Sequence, residues 1–468
     1  MTLMKNIGRL FFLRLLTQLI TLGLIVLFTR TVGPSELGIY FFFLSVLGLT
    51  SVIATLGTTG AAEKRISQSG SSDTIYTTGL VITIVLSIVV GVGFFALNRS
   101  VSILEPGVAQ YIIGALLVHR LFSYYQHVFR AELRAALGGV LSLCQVCLFG
   151  LSSLYFLQEG FGGKGVILAE IVAKGLLIPL GAVMVEASLS KPTISAAYDL
   201  LDYGKYYVVS VIETRMYYFA DIFFIGTLLT TAAVGKYDVA WRIIMAGIFL
   251  NGVVARTAFS YISLADSKDD YERLTGDMTM ILRYILILPF PILIGASILG
   301  NELLSTLFTD EYSVGTALFS IIALGFVFQS LYYFFNRILY GIDKPREAFL
   351  ATLVGMISNL LLNPIFILQF GLIGAGAATT VSYLIAAGAY YQRVRKYIRI
   401  DVPYRPIIIQ ALSAVIMGVV ILISSRSLPA TDLAVVLHVA LGGVVYFLLL
   451  WTIPETRADI KQFLIDVL

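Results

Sequence analysis

Long apolar stretches separated by short polar turns recur along almost the whole chain. Each is about 20 residues long, which at about 1.5 Å per helical residue is enough to cross a hydrocarbon layer of about 30 Å. The alternating segments typical of a membrane β-barrel are not seen in the sequence, so backbone hydrogen bonds must close within helices. We predict an all-α integral membrane protein with about 14 spans, or about 12 in an alternative count, centred near residues 20, 48, 86, 120, 149, 175, 217, 249, 287, 327, 358, 383, 414 and 441.

The composition supports the same conclusion. Of the 468 residues, 58% are hydrophobic and only 13% are charged, and the mean hydropathy is +0.90. That is more apolar surface than a water-soluble core of ordinary composition can hide. The polar connections are too short to contain a sizeable soluble domain.

Basic residues are unevenly divided between the two ends of the spans. If the amino terminus is cytoplasmic, the inner connections hold most of the lysines and arginines, and the outer ones hold only Arg30, Arg99, Lys164 and Arg426. This asymmetry predicts that both termini are cytoplasmic and that the number of spans is even. We expect a multi-pass protein of a prokaryotic plasma membrane, with the first helix retained because Arg14 interrupts its apolar run and no cleavage pattern follows.

The two halves of the chain carry similar short sequences in the same order. Residues 8–11 are similar to residues 204–207, and residues 37–40 are similar to residues 234–237. Small residues repeat at one constant offset, with Gly162, Gly165 and Ala169 matching Gly371, Gly374 and Ala378. Internal repeats define many transporter folds. We expect two pseudo-symmetric six-helix lobes and two additional C-terminal transmembrane helices, with boundaries at 1–198, 199–400 and 401–468.

Several charged residues fall inside the predicted spans, where each costs about 2.5–3.5 kcal/mol at mid-bilayer unless it meets water or a partner. Helical spacing gathers them on shared faces. Two pairs at i,i+4 are interpreted as buried ion pairs: Glu170 with Lys174, and Asp238 with Arg242. The acidic residues Glu213, Asp221 and Asp238 are candidates for binding a coupling proton or sodium ion, or for holding arginines in place.

Basic residues outnumber acidic ones on these faces, so ion pairing alone would leave an excess of positive charge. A water-filled cationic cavity accounts for that excess, although structural pairing remains the alternative. Arginine presents a fork of donors suited to phosphate oxygens, and tyrosine offers a ring face and a hydroxyl suited to sugars. The predicted cavity residues are Arg14, Arg120, His127, Arg242, Arg256, Arg283, Arg337, Tyr333 and Asn336.

Metal, cofactor and enzyme chemistry find little support in the sequence. Cys144 and Cys147 lie within one apolar segment, and the three histidines form no cluster at metal-ligand spacing. We therefore predict no metal and no cofactor. A membrane-embedded enzyme needs carboxylates near a substantial external loop, and the outer loops are short, with Asp310 and Glu311 isolated in one of them.

Three motifs carry a family resemblance. They are residues 30–40, which end in Gly-Pro-Ser-Glu-Leu-Gly-Ile-Tyr; residues 234–242, which read Val-Gly-Lys-Tyr-Asp-Val-Ala-Trp-Arg; and residues 359–364, which read Asn-Leu-Leu-Leu-Asn-Pro and precede Gly371, Gly374, Gly376 and Ala377. In order and spacing they resemble the multidrug/oligosaccharidyl-lipid/polysaccharide (MOP) exporter superfamily. Within it they are similar to the polysaccharide-transporter branch, which includes the Wzx-type flippases.

The resemblance implies two six-helix lobes around a cavity that opens alternately to either face. It also implies a flippase, not an enzyme, that moves a polyprenyl-(pyro)phosphate-linked sugar or oligosaccharide from the cytoplasmic to the outer leaflet. Its partners would be that substrate, membrane lipid, a coupling H⁺ or Na⁺ and glycan-assembly enzymes, with no nucleic acid. The alternatives are a cation-coupled multidrug antiporter of the same fold and a polyprenol-dependent glycosyltransferase or polymerase.

Overall fold

The computed structural model describes residues 2–68, 72–246, 271–426, 432–452 and 457, with side chains described for all of these except 2–8, 11, 72, 206–216, 271–275 and 277. The described part of the chain is helical and contains no β-strand. Its helices are α1 Thr2–Thr31, α2 Pro34–Thr55, α3 Thr58–Gln68, α4 Ser72–Val101, α5 Pro106–Ala109, α6 Ile112–Ala131, α7 Ala135–Gln158, α8 Gly162–Met184, α9 Ile194–Leu228, α10 at 231–246, α11 Tyr271–Leu286, α12 Pro289–Leu307, α13 Thr316–Gly341, α14 Pro345–Val394, α15 Tyr404–Ser425 and α16 Asp432–Trp451.

Ten stretches of the described residues are long and apolar enough to cross a membrane. They lie in α1, α2, α4, α7, α8, α13, α14, α15 and α16, and in the stretch Met278–Leu307 that joins α11 to α12. The all-helical membrane fold predicted from the apolar pattern is therefore confirmed. Twelve of the predicted span centres fall within described helices; the centre near 287 falls in the turn before Pro289, and the centre near 249 lies outside the described residues.

One long helix contains two of the predicted spans. α14 has 50 residues, about 75 Å at 1.5 Å per residue, more than twice the hydrocarbon thickness. Its backbone breaks at Gly371, where φ is 59° and ψ is −135°, a conformation that only glycine adopts without strain. The break separates two helical halves at the point where the apolar pattern places the end of one span and the start of the next.

The chain divides into two compact units, Met1–Gly235 and Lys236–Leu468. In the first unit α9 packs along α2 and α3, and where it crosses α2 a glycine of each helix faces an aromatic ring of the other. The ring of Phe219 lies against Gly48, and the ring of Phe42 lies against Gly226. Without a hydrophobic driving force between helices in lipid, close contact at small residues is the main source of attraction.

Two glycines of the repeated motifs face each other in the first unit. A Cβ atom on Gly38 would lie 1.7 Å from the carbonyl oxygen of Thr231, and one on Gly235 would lie 2.1 Å from that of Pro34. Beside them, the Ser35 and Thr231 hydroxyls lie 3.1 Å apart. The backbones of α2 and α10 therefore touch here, and side chains larger than hydrogen do not fit at positions 38 and 235.

The segment between α8 and α9 is tied to the first unit by its main-chain amides. Glu132 accepts hydrogen bonds from the amides of residues 186 and 187, Asp73 from that of 188, Thr77 from that of 190 and Thr78 from that of 193. These side chains supply the acceptors that the irregular backbone lacks. The start of α9 is consequently fixed on the first unit.

The second unit has a core of side-chain hydrogen bonds between α13 and the two halves of α14. Buried amides and hydroxyls pair there at 2.7–3.0 Å: Gln329 with Tyr383, Asn336 and Thr352 with Tyr390, and Asn359 with Thr379. The last two helices pack on α12, where the Tyr446 hydroxyl donates to the carbonyl oxygen of Ile287 at 2.7 Å. Each of these donors has a partner, as a group buried from water must have.

The glycine contact between α2 and α10 predicts a steric effect. Gly38→Ala should destabilise the protein by about 1–3 kcal/mol or more, because the new methyl group meets backbone that cannot rotate away. Gly93→Ala is the control, since nothing lies within 4 Å of a Cβ atom at position 93. Thermal unfolding of both purified variants in detergent measures the difference, and equal midpoints would contradict the packing described.

Candidate functional site

Two of the predicted cavity residues, Arg120 and His127, lie together at the contact between α3 and α6. Arg120 and His127 are seven positions apart on α6, and Thr59 and Glu63 are four apart on α3, so each pair lies on one helix face. The Arg120 guanidinium donates to the Thr59 hydroxyl at 2.5 Å, and His127 Nδ1 lies 2.5 Å from Glu63 Oε2. Arg120 is only 6% exposed. The face of α6 that carries Arg120 and His127 therefore packs against the face of α3 that carries Thr59 and Glu63.

Glu63 also contacts a second arginine. Arg130 donates to both carboxylate oxygens of Glu63, from Nε and from Nη2, at 3.1 Å each. One guanidinium group and a histidine ring thus hold the Glu63 carboxylate, while the guanidinium of Arg120 is bonded to Thr59 on the same helix as Glu63. We define Thr59, Glu63, Arg120, His127 and Arg130 as the α3–α6 cluster, which carries net positive charge.

A separate charged group lies between α6, α7 and α8. Lys174 Nζ lies 2.6 Å from Glu170 Oε1 and 3.0 Å from His119 Nδ1. Gln145 donates to the other oxygen of Glu170 at 3.2 Å. The ion pair predicted from the i,i+4 spacing is confirmed as a contact, and the structure adds His119 and Gln145 to it.

The second unit contains the other predicted pair. The Arg242 guanidinium donates to the carboxylate of Asp238, whose side chain is 0% exposed while that of Arg242 is 27% exposed. Trp241, between them in sequence, stacks on Tyr237 and packs against Phe326. The carboxylate is thus buried beside a guanidinium group that is itself partly exposed.

The polar residues predicted on α13 have two different environments. Asn336 is buried and donates to the hydroxyl of Tyr390 at 2.7 Å, so its amide belongs to the core between α13 and α14. Tyr333 is exposed and Arg337 is half-buried, and within the described residues no carboxylate lies in ion-pair distance of Arg337. Tyr333 and Arg337 are one helical turn apart and form an accessible polar surface of the second unit.

The remaining candidates are placed as follows. Arg14 is exposed on α1 and Arg283 is half-buried on α11, where its carbonyl oxygen accepts from Gln410 at 3.0 Å. Asp221 is buried in α9. Arg256 and the side chain of Glu213 lie outside the described residues.

Three members of the α3–α6 cluster, Thr59, Glu63 and Arg130, were not among the site residues predicted from the sequence. Thr59 and Glu63 belong to an 11-residue helix, too short and too polar to resemble a span. Their four-residue spacing beside Gly60 was a usable signal, because small residues mark close helix contacts. That α3 packs against α6 can be seen only in the tertiary structure.

These features define a multi-pass helical membrane protein that holds charged and hydrogen-bonding side chains inside its apolar bundle. Such side chains mark substrate and ion pathways in membrane proteins. The chain belongs to the polysaccharide biosynthesis protein family, which it matches over residues 27–317, and with it to the MOP superfamily that the sequence motifs resemble.

The chain is similar over most of its length to two proteins of Haloferax volcanii. It is 25% identical to the probable low-salt glycan biosynthesis flippase Agl15, over 84% of either chain. It is 28% identical to the probable flippase AglR, over 93% of this chain and 94% of that protein. The fold is also that of a solved structure, the lipid II flippase MurJ in an inward closed conformation, with a TM-score of 0.78 over 95% of this chain and 98% of the other at 14% identity.

The burial of Asp238 predicts a stability effect. Arg242→Ala should lower the free energy of unfolding by about 3–5 kcal/mol, because it leaves a carboxylate buried without its neighbouring guanidinium. The double variant Asp238→Asn/Arg242→Gln removes both charges and should recover much of that loss. Thermal unfolding of the purified variants measures it, and a single variant as stable as the wild type would show that the pair is not important for the fold.

Proposed function

We propose that this protein is a flippase for a lipid-linked glycan, a polyprenyl-(pyro)phosphate-linked sugar or oligosaccharide. The observation that carries the proposal is the near full-length match to relatives named as probable flippases, one of them for glycan biosynthesis. These matches cover 84–94% of both chains, so little of either chain lies outside the similarity. The membrane-spanning helices and their interior charges fit a carrier for a polar head group.

The chemistry of the candidate residues fits an anionic cargo. Arginine remains charged under all physiological conditions and matches phosphate oxygens with two parallel donors. In the α3–α6 cluster two arginines and a histidine exceed one carboxylate, and on α13 Arg337 lies beside exposed Tyr333. A drug antiporter that selects organic cations would place carboxylates at such accessible positions, so this excess favours the flippase over the antiporter.

In the proposed mechanism the sugar-phosphate head passes through a central cationic cavity while the polyprenyl tail stays in lipid. Alternating access opens the cavity first to the cytoplasmic and then to the outer leaflet of a prokaryotic plasma membrane, with both termini cytoplasmic. The cargo is moved without chemical change, so the protein is not an enzyme. The proposed lining is Arg14, Arg120, His127, Arg242, Arg256, Arg283, Arg337 and Tyr333. Asn336, also predicted from the sequence, is left out because its buried amide is bonded to Tyr390 in the core between α13 and α14.

Energy for directed transport is proposed to come from H⁺ or Na⁺. Glu213, Asp221 and Asp238 are the acidic residues first proposed to bind it. The burial of Asp221 and Asp238 supports this, because a buried carboxylate gains most from a bound cation. Glycan-assembly enzymes are the proposed protein partners, since a flippase receives its cargo from one reaction and delivers it to another.

The cargo assignment is tested in proteoliposomes containing the purified protein. A polyprenyl-diphosphate-linked sugar is incorporated, and protection of its head group from an impermeant reagent is followed with time. We expect protein-dependent movement of this lipid and no accumulation or efflux of a drug-like organic cation. Cation efflux under an imposed ion gradient, without lipid movement, would assign the chain to drug antiport.

The role of Arg337 is tested in the same vesicles. Loss of a charge-assisted hydrogen bond costs about 1.5–3 kcal/mol, so Arg337→Ala should move the lipid roughly 10- to 100-fold more slowly while its thermal stability stays close to that of the wild type. Arg399→Ala is the control, because Arg399 is exposed between α14 and α15 and is paired with Asp401. If Arg337→Ala moves the lipid at the wild-type rate, Arg337 does not lie on the transport pathway.

A further inference from the structure

The group formed by Glu170, Lys174 and His119 has a role that pairing alone does not explain. The Glu170 and Lys174 side chains are 15% and 11% exposed, and they lie 9 and 13 positions into a 23-residue apolar helix. At that depth two charges lose most of their hydration. A buried ion pair often stabilises a protein no better than apolar side chains of similar volume, so its retention needs another reason.

A small cavity opens beside this group. It is lined by His119, Glu170 and Lys174 and by apolar side chains of α2, α6 and α8, with Tyr40 contributing the remaining titratable group. Gln145 faces Glu170 from α7. The neighbouring Arg120 is directed to Thr59 on α3 and does not line the cavity. The side chains around the cavity thus include one acid, one amine, one imidazole and one phenol.

The geometry fixes the resting protonation of the group. An ammonium has only donors, so Lys174 Nζ donates to both Glu170 and His119 Nδ1. His119 is therefore neutral with its proton on Nε2, and the group carries no net charge.

We propose that Glu170, Lys174 and His119 form a proton-binding site in the first unit through which transport is coupled to a proton gradient. The proton adds to a carboxylate oxygen of Glu170 and breaks the ion pair. The ammonium of Lys174 then keeps only its hydrogen bond to His119. The group then changes from neutral to a single positive charge in an apolar environment. That charge favours a conformation in which the site meets water, and release of the proton restores the pair.

The site differs from the three carboxylates proposed above as coupling residues, since none of them lines this cavity. His119 and Glu170 lie in the first halves of α6 and α8, and the distribution of basic residues predicts that both helices begin on the external side. Protons from the outer, more acidic side of an energised membrane would reach it first. The inference rests on the proposed flippase function in one respect only, that the movement driven by proton binding is transport of the lipid.

The test compares two charge-neutral double variants in proteoliposomes. Glu170→Gln/Lys174→Gln removes the site, and Asp202→Asn/Lys205→Gln removes an exposed ion pair of α9 as the control. We expect an imposed pH gradient to accelerate lipid movement severalfold in the wild type and the control. The site variant should move the lipid at the same rate with and without the pH gradient. A gradient response in the site variant, or none in the wild type, overturns the proposal.

Proton binding is also measured without any lipid cargo. In weakly buffered detergent solution, acidification should load one more proton per molecule onto the wild type and the control than onto the site variant made with His119→Gln as well, because a histidine relieved of Lys174 would take up a proton of its own. If the site variant does not fold, His119→Gln is used, which keeps the ion pair and should shift the uptake to lower pH. Equal uptake and unchanged pH dependence overturn the proposal. Proton uptake without lipid movement would instead contradict the flippase assignment.

Discussion

The low dielectric of the membrane interior is the constraint on which the rest of this structure depends. A charge there costs several kcal/mol unless another group replaces its hydration, so interior polar side chains occur in groups. Glu63 is held by His127 and Arg130, and Asp238 by Arg242. Even the irregular backbone between α8 and α9 has side-chain acceptors for its amides.

Interior polar groups in this chain serve two purposes, and the degree of burial distinguishes one kind of group from the other. The amides of Gln329 and Asn336 are buried, and each is bonded to a tyrosine hydroxyl, which locks α13 onto α14. Tyr333 and Arg337 are on the same helix, yet they are accessible. A helix can therefore hold its own unit together on one face and present a polar surface on another, which is what a carrier with a rigid lobe and a hydrated cavity requires.

Local geometry decided how much could be predicted from the sequence. The spans follow from apolar length, and the pairs Glu170–Lys174 and Asp238–Arg242 follow from the i,i+4 rule, since both depend on one helix alone. Contacts between helices were not predictable: Lys174 also meets His119, and Arg120 meets Thr59. Tyr124, one helical turn from Arg120 on α6, is buried and donates to the carbonyl oxygen of Tyr76.

The central claim is that cationic side chains line a water-filled path for an anionic head group. Its most direct test is the reactivity of Arg337→Cys, made with Cys144→Ala and Cys147→Ala, towards a charged, membrane-impermeant thiol reagent in oriented vesicles. The account predicts modification from the aqueous phase and protection by a polyprenyl-diphosphate-linked sugar. A thiol that is unreactive from either side would place position 337 in packed protein or lipid and contradict the cavity.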